Sequence, residues 1–224
     1  FYTDKVILIT GSTRGIGYAL AKYLCRYNCK LIITGKTQES LNTAVKELIK
    51  LNKNCYGIAA DLSTSKGVEH LIHESLSKYK KIHILVNNVI SKKSSKQLID
   101  TSFDNWTEDI NVNINSIFKL SQAVIHHMKD QDIHGRIINI SSFISKDRNT
   151  KTHSGTEILS KHFLERMNEL LAEENYKDNI AVSTISIDNG SFKSKGPNDK
   201  KTTTTDTLDK LSSLLDYSQH DPDD

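Results

Sequence analysis

Six short runs rich in valine, isoleucine and leucine punctuate the chain, at Val6–Thr10, Leu31–Thr34, Tyr56–Ala60, Ile82–Asn87, Arg136–Ile140 and Ala181–Ile187. Such runs suit strands buried on both faces rather than strands with one wet side. Between them lie stretches of helical periodicity near 15–28, 38–52, 65–79, 105–129 and 155–174. The last carries Ile158, Leu159, Phe163, Leu164, Met167, Leu170 and Leu171 as a helical stripe. Strands alternating with helices predict an α/β fold, a doubly wound parallel sheet with right-handed crossovers and helices on both faces. No internal repeat is visible.

Composition narrows the partners. With 224 residues, 37% hydrophobic and 25% charged, the chain is long enough for a real core and is no disordered tail. No apolar run approaches the ~20 residues of a membrane-spanning helix. A net charge of +3 is too small to argue for nucleic acid, and no aromatic platform accompanies the lysines near 92–96 and 193–201. Cys25, Cys29 and Cys55 lack metal-ligand spacing and read as reduced thiols, so no metal is expected. They suit a reducing intracellular compartment, with cytoplasmic and mitochondrial homes both open. The chain opens on Phe1, so any targeting peptide would lie upstream.

The texture changes late. Residues 1–194 read as one domain, and 195–224 as a polar linker with a short amphipathic tail. That tail carries Leu208, Leu211, Leu214 and Leu215 and ends in acids.

The first strand runs into Thr10-Gly11-Ser12-Thr13-Arg14-Gly15-Ile16-Gly17, and a helix follows. Gly11 permits the tight turn, Gly15 lets backbone approach a phosphate, and Gly17 lets the helix pack closely. The helix N-terminus adds N–H groups and a positive dipole, so the segment suits a dinucleotide diphosphate.

The spacing Gly-x3-Gly-x-Gly resembles that of the short-chain dehydrogenase/reductase family, whose fold is Rossmann-like. The likeness continues in order over about residues 4–194. Asp61-Leu62 is similar to the family's adenine-contacting segment, and Leu85-Val86-Asn87-Asn88 to its Asn-Asn-Ala-Gly segment. Asn113 resembles the active-site Asn, Ser142 in Ile138-Asn139-Ile140-Ser141-Ser142 the catalytic Ser, and Ser160-Lys161 the end of the Tyr-x3-Lys helix. The resemblance implies that Ser142, Lys161 and Asn113 form the catalytic set. It implies a nicotinamide dinucleotide held by residues 11–17, Lys36, Asp61, Asn87, Lys161 and Gly190. An NAD site usually has an acid at the end of the second strand. Here that place reads Ile33-Thr34-Gly35-Lys36, and Lys36 with Arg14 suits an added phosphate. NADP(H) is therefore expected over NAD.

The chemical half departs from the pattern. Four residues before Lys161 stands Glu157, not Tyr, and no Tyr lies between Tyr79 and Tyr176. An ordinary Glu has a pKa of about 4.3, so roughly 0.2% is protonated at pH 7. A neighbouring lysine lowers that further. At i, i+4 the two form an ion pair. His153, one helical turn earlier, is the other candidate proton donor. Val89-Ile90 replaces Ala-Gly, Asp188-Asn189-Gly190 replaces Pro-Gly, and the family's final strand and lid are expected to be absent.

Two readings stay open. In one the chain holds NADP(H) but is catalytically impaired, serving as a structural or regulatory subunit of a larger assembly. In the other it is an active NADPH-dependent carbonyl reductase or alcohol dehydrogenase with an atypical proton donor. In either, the family likeness implies a homo- or hetero-oligomer joined through the helices at 105–129 and 155–174.

Overall fold

A computed structural model describes residues 2–91, 97–142 and 155–187, with the side chains of Ser142, Ser186 and Ile187 outside that description. Gly190, His153, the basic segments, the 195–224 tail and the expected loss of a final strand fall outside it too.

The six expected strands all form: β1 (Val6–Ile9), β2 (Lys30–Gly35), β3 (Cys55–Ala59), β4 (Ile84–Asn87), β5 (Arg136–Ser142) and β6 (Ala181–Ile187). They make one parallel sheet in the order β3-β2-β1-β4-β5-β6. Alternate residues serve opposite faces. Ile7, Ile9, Leu31, Ile33 and Val86 join one core, while Val6, Leu8, Ile32, Leu85 and Ile137 join the other. Both faces being apolar explains why the strands read as continuous hydrophobic runs.

The first face is covered by α1 (Gly15–Leu24) and α2 (Gln38–Leu48), the second by α3 (Ser65–Tyr79) and α5 (Ser116–Asp130). Helix α6 (Gly155–Asn175) packs on α5 through Ile117, Leu164 and Met167. Helices α1 and α2 stop four residues short of the expected ends at 28 and 52. The helix expected at 105–129 is two helices. Short α4 (Phe103–Ile110), begun by a Ser102 cap, leads through a wide π-turn at Asn111–Asn115 into α5. Among the described residues no helix is long and apolar enough to cross a membrane.

The order of strands reverses between β1 and β4: β2 and β3 lie on one side, β5 and β6 on the other. Crossovers leave in opposite directions there, so a crevice opens beyond the strands' carboxyl ends.

At the opposite end of the sheet, His83 Nδ1 accepts the Val6 N–H at 3.0 Å. Burial, with Lys5, Lys81, Lys30 and His127 nearby, pushes its pKa down to about 4 from 6.5. The folded state thus prefers neutral His83, and the unfolded chain binds more protons below pH 6.5. Stability from this group is whole above pH 6.5 and is lost between there and about pH 4. Allowing for its partial exposure, the loss is about 1–2 kcal/mol. In His83→Gln, urea unfolding from pH 7 to 4.5 should show a flatter decline; an unchanged decline would refute the assignment.

Candidate functional site

The glycine turn lies at the crevice. Gly11 and Gly15 adopt φ of +59° and +60°, left-handed backbone that side chains rarely tolerate. Gly17 serves packing: a Cβ there would sit 2.5 Å from Asn88 Nδ2 and 2.8 Å from the Gly11 carbonyl. The α1 N-terminus has no side-chain cap and no acid in its first turn, whereas Thr37, Thr64 and Ser102 cap α2, α3 and α4. The dipole at such an uncapped end favours an anion.

Two residues that sequence reasoning left unassigned fix the turn. Asn88 Nδ2 donates to the carbonyls of Thr10 and Gly11, both at 3.0 Å. Thr10 Oγ1 accepts the N–H groups of Asn88 at 2.9 Å and Val89 at 3.2 Å. They staple β1 to β4 at the switch point. Their sequence signals were the Asn87-Asn88 pair and the place of Thr10 at the head of the glycine turn.

Between the turn and the ends of β2, β3 and β4 runs a groove of about 920 Å³. Its walls include Gly11, Thr13, Arg14, Gly15, Ile16, Lys36, Asp61, Val89, Ile90 and Ser141. Most of the expected dinucleotide residues are there, but among the described residues Ser12, Gly17, Asn87 and Lys161 are not. Ser12 is fully buried, its hydroxyl donating to the Ile9 carbonyl at 2.7 Å and accepting the Thr34 N–H at 2.9 Å. Gly17 packs as described. Asn87 points into the sheet, where its amide donates to Ser121 Oγ at 3.3 Å and Asn139 Oδ1 at 2.7 Å. The chain of amides continues through Asn168 to Thr184.

Lys36 Nζ lies 3.1 Å from Asp61 Oδ2, so the two are partners rather than independent contacts. Burial raises the Asp61 pKa, but the Ser63 hydroxyl and N–H and the Lys36 ammonium outweigh it and hold the carboxyl below its ordinary range.

Of the expected catalytic residues, Glu157 and Lys161 are brought into contact. Asn113, on the π-turn, accepts the Ser91 N–H at 2.7 Å and donates to the Ser91 carbonyl at 3.0 Å. The π-turn sets its amide toward the chain leaving β4. Glu157 and Lys161, one turn apart on α6, form an ion pair at 2.9 Å with both side chains only 4% exposed. Neither is among the described residues that line the groove. Ser142 ends β5, level with Ile187 of β6.

A second buried acid escaped the sequence reading. Asp109 is fully buried and accepts the Ser91 hydroxyl at 2.7 Å through Oδ1 and the Thr156 hydroxyl at 2.8 Å through Oδ2. It joins the chain after β4, helix α4 and the first turn of α6.

The three cysteines are free and buried, and burial pushes their thiols up to about 11 for Cys25 and about 12 for Cys29 and Cys55. Among the described residues no group of three or more His, Cys, Asp or Glu could hold a metal ion.

The short chain dehydrogenase family model matches residues 5–199 of this chain. The chain belongs to that family. Among its relatives is the 2-dehydro-3-deoxy-D-gluconate 5-dehydrogenase of Dickeya dadantii, 31% identical over 183 residues, covering 81% of this chain and 70% of that protein. The Escherichia coli enzyme of the same name is 30% identical over the same shares. Chloroplastic chlorophyll(ide) b reductase NOL of Oryza sativa subsp. japonica is 31% identical, over 80% of this chain and 54% of the rice protein. In fold, this short chain dehydrogenase resembles a metagenomic short-chain oxidoreductase solved with NADP, with a TM-score of 0.81, 24% identity and 96% and 91% of the two chains covered. It also resembles L-sorbose reductase from Gluconobacter frateurii, solved with NADPH and L-sorbose, with a TM-score of 0.74, 24% identity and 82% and 69% covered. The Rossmann-like sheet is thereby the family's own.

Proposed function

We propose that this short chain dehydrogenase holds NADP(H) without reducing a carbonyl efficiently, and acts as a structural or regulatory subunit. The observation that carries the reading is the buried Glu157–Lys161 ion pair.

The groove's residues fit a phosphorylated dinucleotide. The left-handed glycines and uncapped α1 would take the diphosphate, and Arg14 and Lys36 would face the added phosphate. Two fold relatives were solved with NADP and NADPH, which favours the same ligand here. When bound, that cofactor supplies a hydride. The chain itself must then deliver a proton to the substrate oxygen. The family resemblance implies a phenol for that task at position 157. Glu157 instead faces an ammonium at 2.9 Å, and an opposite charge that close favours the carboxylate over the acid. Asn113, committed to the Ser91 backbone, has an amide and no acidic proton to give.

A subunit role draws support from α5 and α6, which expose Phe118, Leu159, Phe163 and Leu170. Light scattering on the purified chain should give a mass above the monomer; a monomer at micromolar concentration would remove this part.

NADPH at 100 times its dissociation constant should stabilise the fold by about 2.7 kcal/mol, a rise in melting temperature of ~5–11 °C. Absorbance at 340 nm with a panel of ketones and 3-oxoacyl thioesters should show no turnover, and Glu157→Tyr should gain some. Absence of a thermal shift would remove the cofactor. Steady turnover by the unaltered chain would favour the reductase reading, in which another group donates the proton.

A further inference from the structure

Lys36 stands between two acids rather than one. Its ammonium lies 3.1 Å from Asp61 Oδ2 and 3.9 Å from Glu108 Oε1. Asp61 follows β3, next to β2 in the sheet, but Glu108 belongs to α4, which enters after β4 on the other side of the switch point. All three line the groove, so the Lys36–Glu108 contact spans it at the end beyond β2. Asp61 is already fixed by the Ser63 hydroxyl and N–H on its other oxygen. Two carboxylates thus flank one ammonium.

This arrangement works against the phosphate that Lys36 otherwise suits. An incoming phosphate dianion must compete with both carboxylates for the ammonium and is repelled by the one across the groove. We infer that Glu108 is a specificity-determining residue, a carboxylate on α4 that draws Lys36 across the groove and weakens its hold on a ribose 2′-phosphate. The inference rests on the NADP(H) reading above. It makes the chain less selective for NADPH over NADH than Lys36 and Arg14 alone would. The Lys36 and Glu108 side chains are 61% and 32% exposed. Solvent and salt therefore screen the effect, which is expected at ~3–10-fold in affinity.

The test is a set of dissociation constants for NADPH and NADH, read from nicotinamide fluorescence at low salt. The proteins are the unaltered chain, Glu108→Gln, Lys36→Ala and the double variant. Glu108→Gln should tighten NADPH by ~3–10-fold and change NADH less than about twofold. In the Lys36→Ala background the same substitution should lose most of its effect, because it acts through the ammonium. Raising the salt should narrow the gap between the unaltered chain and Glu108→Gln. If the unaltered chain binds NADPH and Glu108→Gln binds it no better, the inference falls while the cofactor reading stands. Equal tightening of NADPH and NADH also overturns it, since that would mark a merely wider groove. If no protein in the set binds NADPH, the cofactor reading fails, and the inference fails with it.

Discussion

Lys161→Ala should destabilise the fold by about 3–5 kcal/mol, the usual effect of removing one partner of a buried ion pair. For a domain of this size that lowers the melting temperature by ~6–20 °C. The reason is local. Glu157 is 4% exposed and its carboxylate meets the Lys161 ammonium at 2.9 Å, so the substitution removes the cation facing a buried carboxylate. Replacing both groups with apolar residues of similar size, as in Glu157→Leu/Lys161→Met, should be nearly neutral, because neither charge remains to be desolvated. Urea unfolding of the single and double variants checks this. A single variant within 1 kcal/mol of the unaltered chain would mean that the pair does not act as a buried ion pair.

The second large effect is expected at Asp109. Asp109→Ala removes an acceptor that serves the Ser91 and Thr156 hydroxyls at 2.7 and 2.8 Å inside the protein. Hydrogen bonds to a charged group contribute about 1.5–3 kcal/mol each, so the loss is put at ~3 kcal/mol or more. Asp109→Asn keeps one acceptor oxygen and should lie between. Ser91→Ala and Thr156→Val, each removing one arm, should sum to less than Asp109→Ala, since neither strands the other hydroxyl. Thermal unfolding of the four variants decides it. If Asp109→Ala were as stable as either single-arm variant, the carboxylate would not be what joins these segments.

What could be read in advance follows from the range of the physics involved. The sheet was legible because each strand is buried on both faces, which writes its apolar character at every position. Gly11 and Gly15 were legible because their task is local, a backbone turn, whereas Lys36 was legible as a charge at a strand end but not as the partner of Asp61. Helix ends were less so. Nothing in the stripe of α1 marks Leu24 as its last residue, since Cys25 is apolar and buried as well. The π-turn at Asn111–Asn115 is one extra residue per turn, too little to disturb the pattern over 105–129. Asp109 and Glu108 are adjacent acids on a short helix, yet one is fully buried and the other faces the groove. Only packing against segments about 20 to 70 residues away in sequence separates them. Asn87 shows the converse. Its motif is recognisable, but the side chain braces β4 to β5 while its neighbour Asn88 does the work at the turn.

The place of β1 also bears on how the chain comes to be folded. Strand β1 is a central one and is synthesised before both of its neighbours, pairing with β2 about 24 residues later and with β4 about 77 residues later. Until the latter has been synthesised, one edge of Val6–Ile9 has no native neighbour, and its apolar side chains depend on a half-built sheet. Assembly is therefore governed by distant encounters rather than by local zipping, which makes it slow and gives nascent chains time to meet one another.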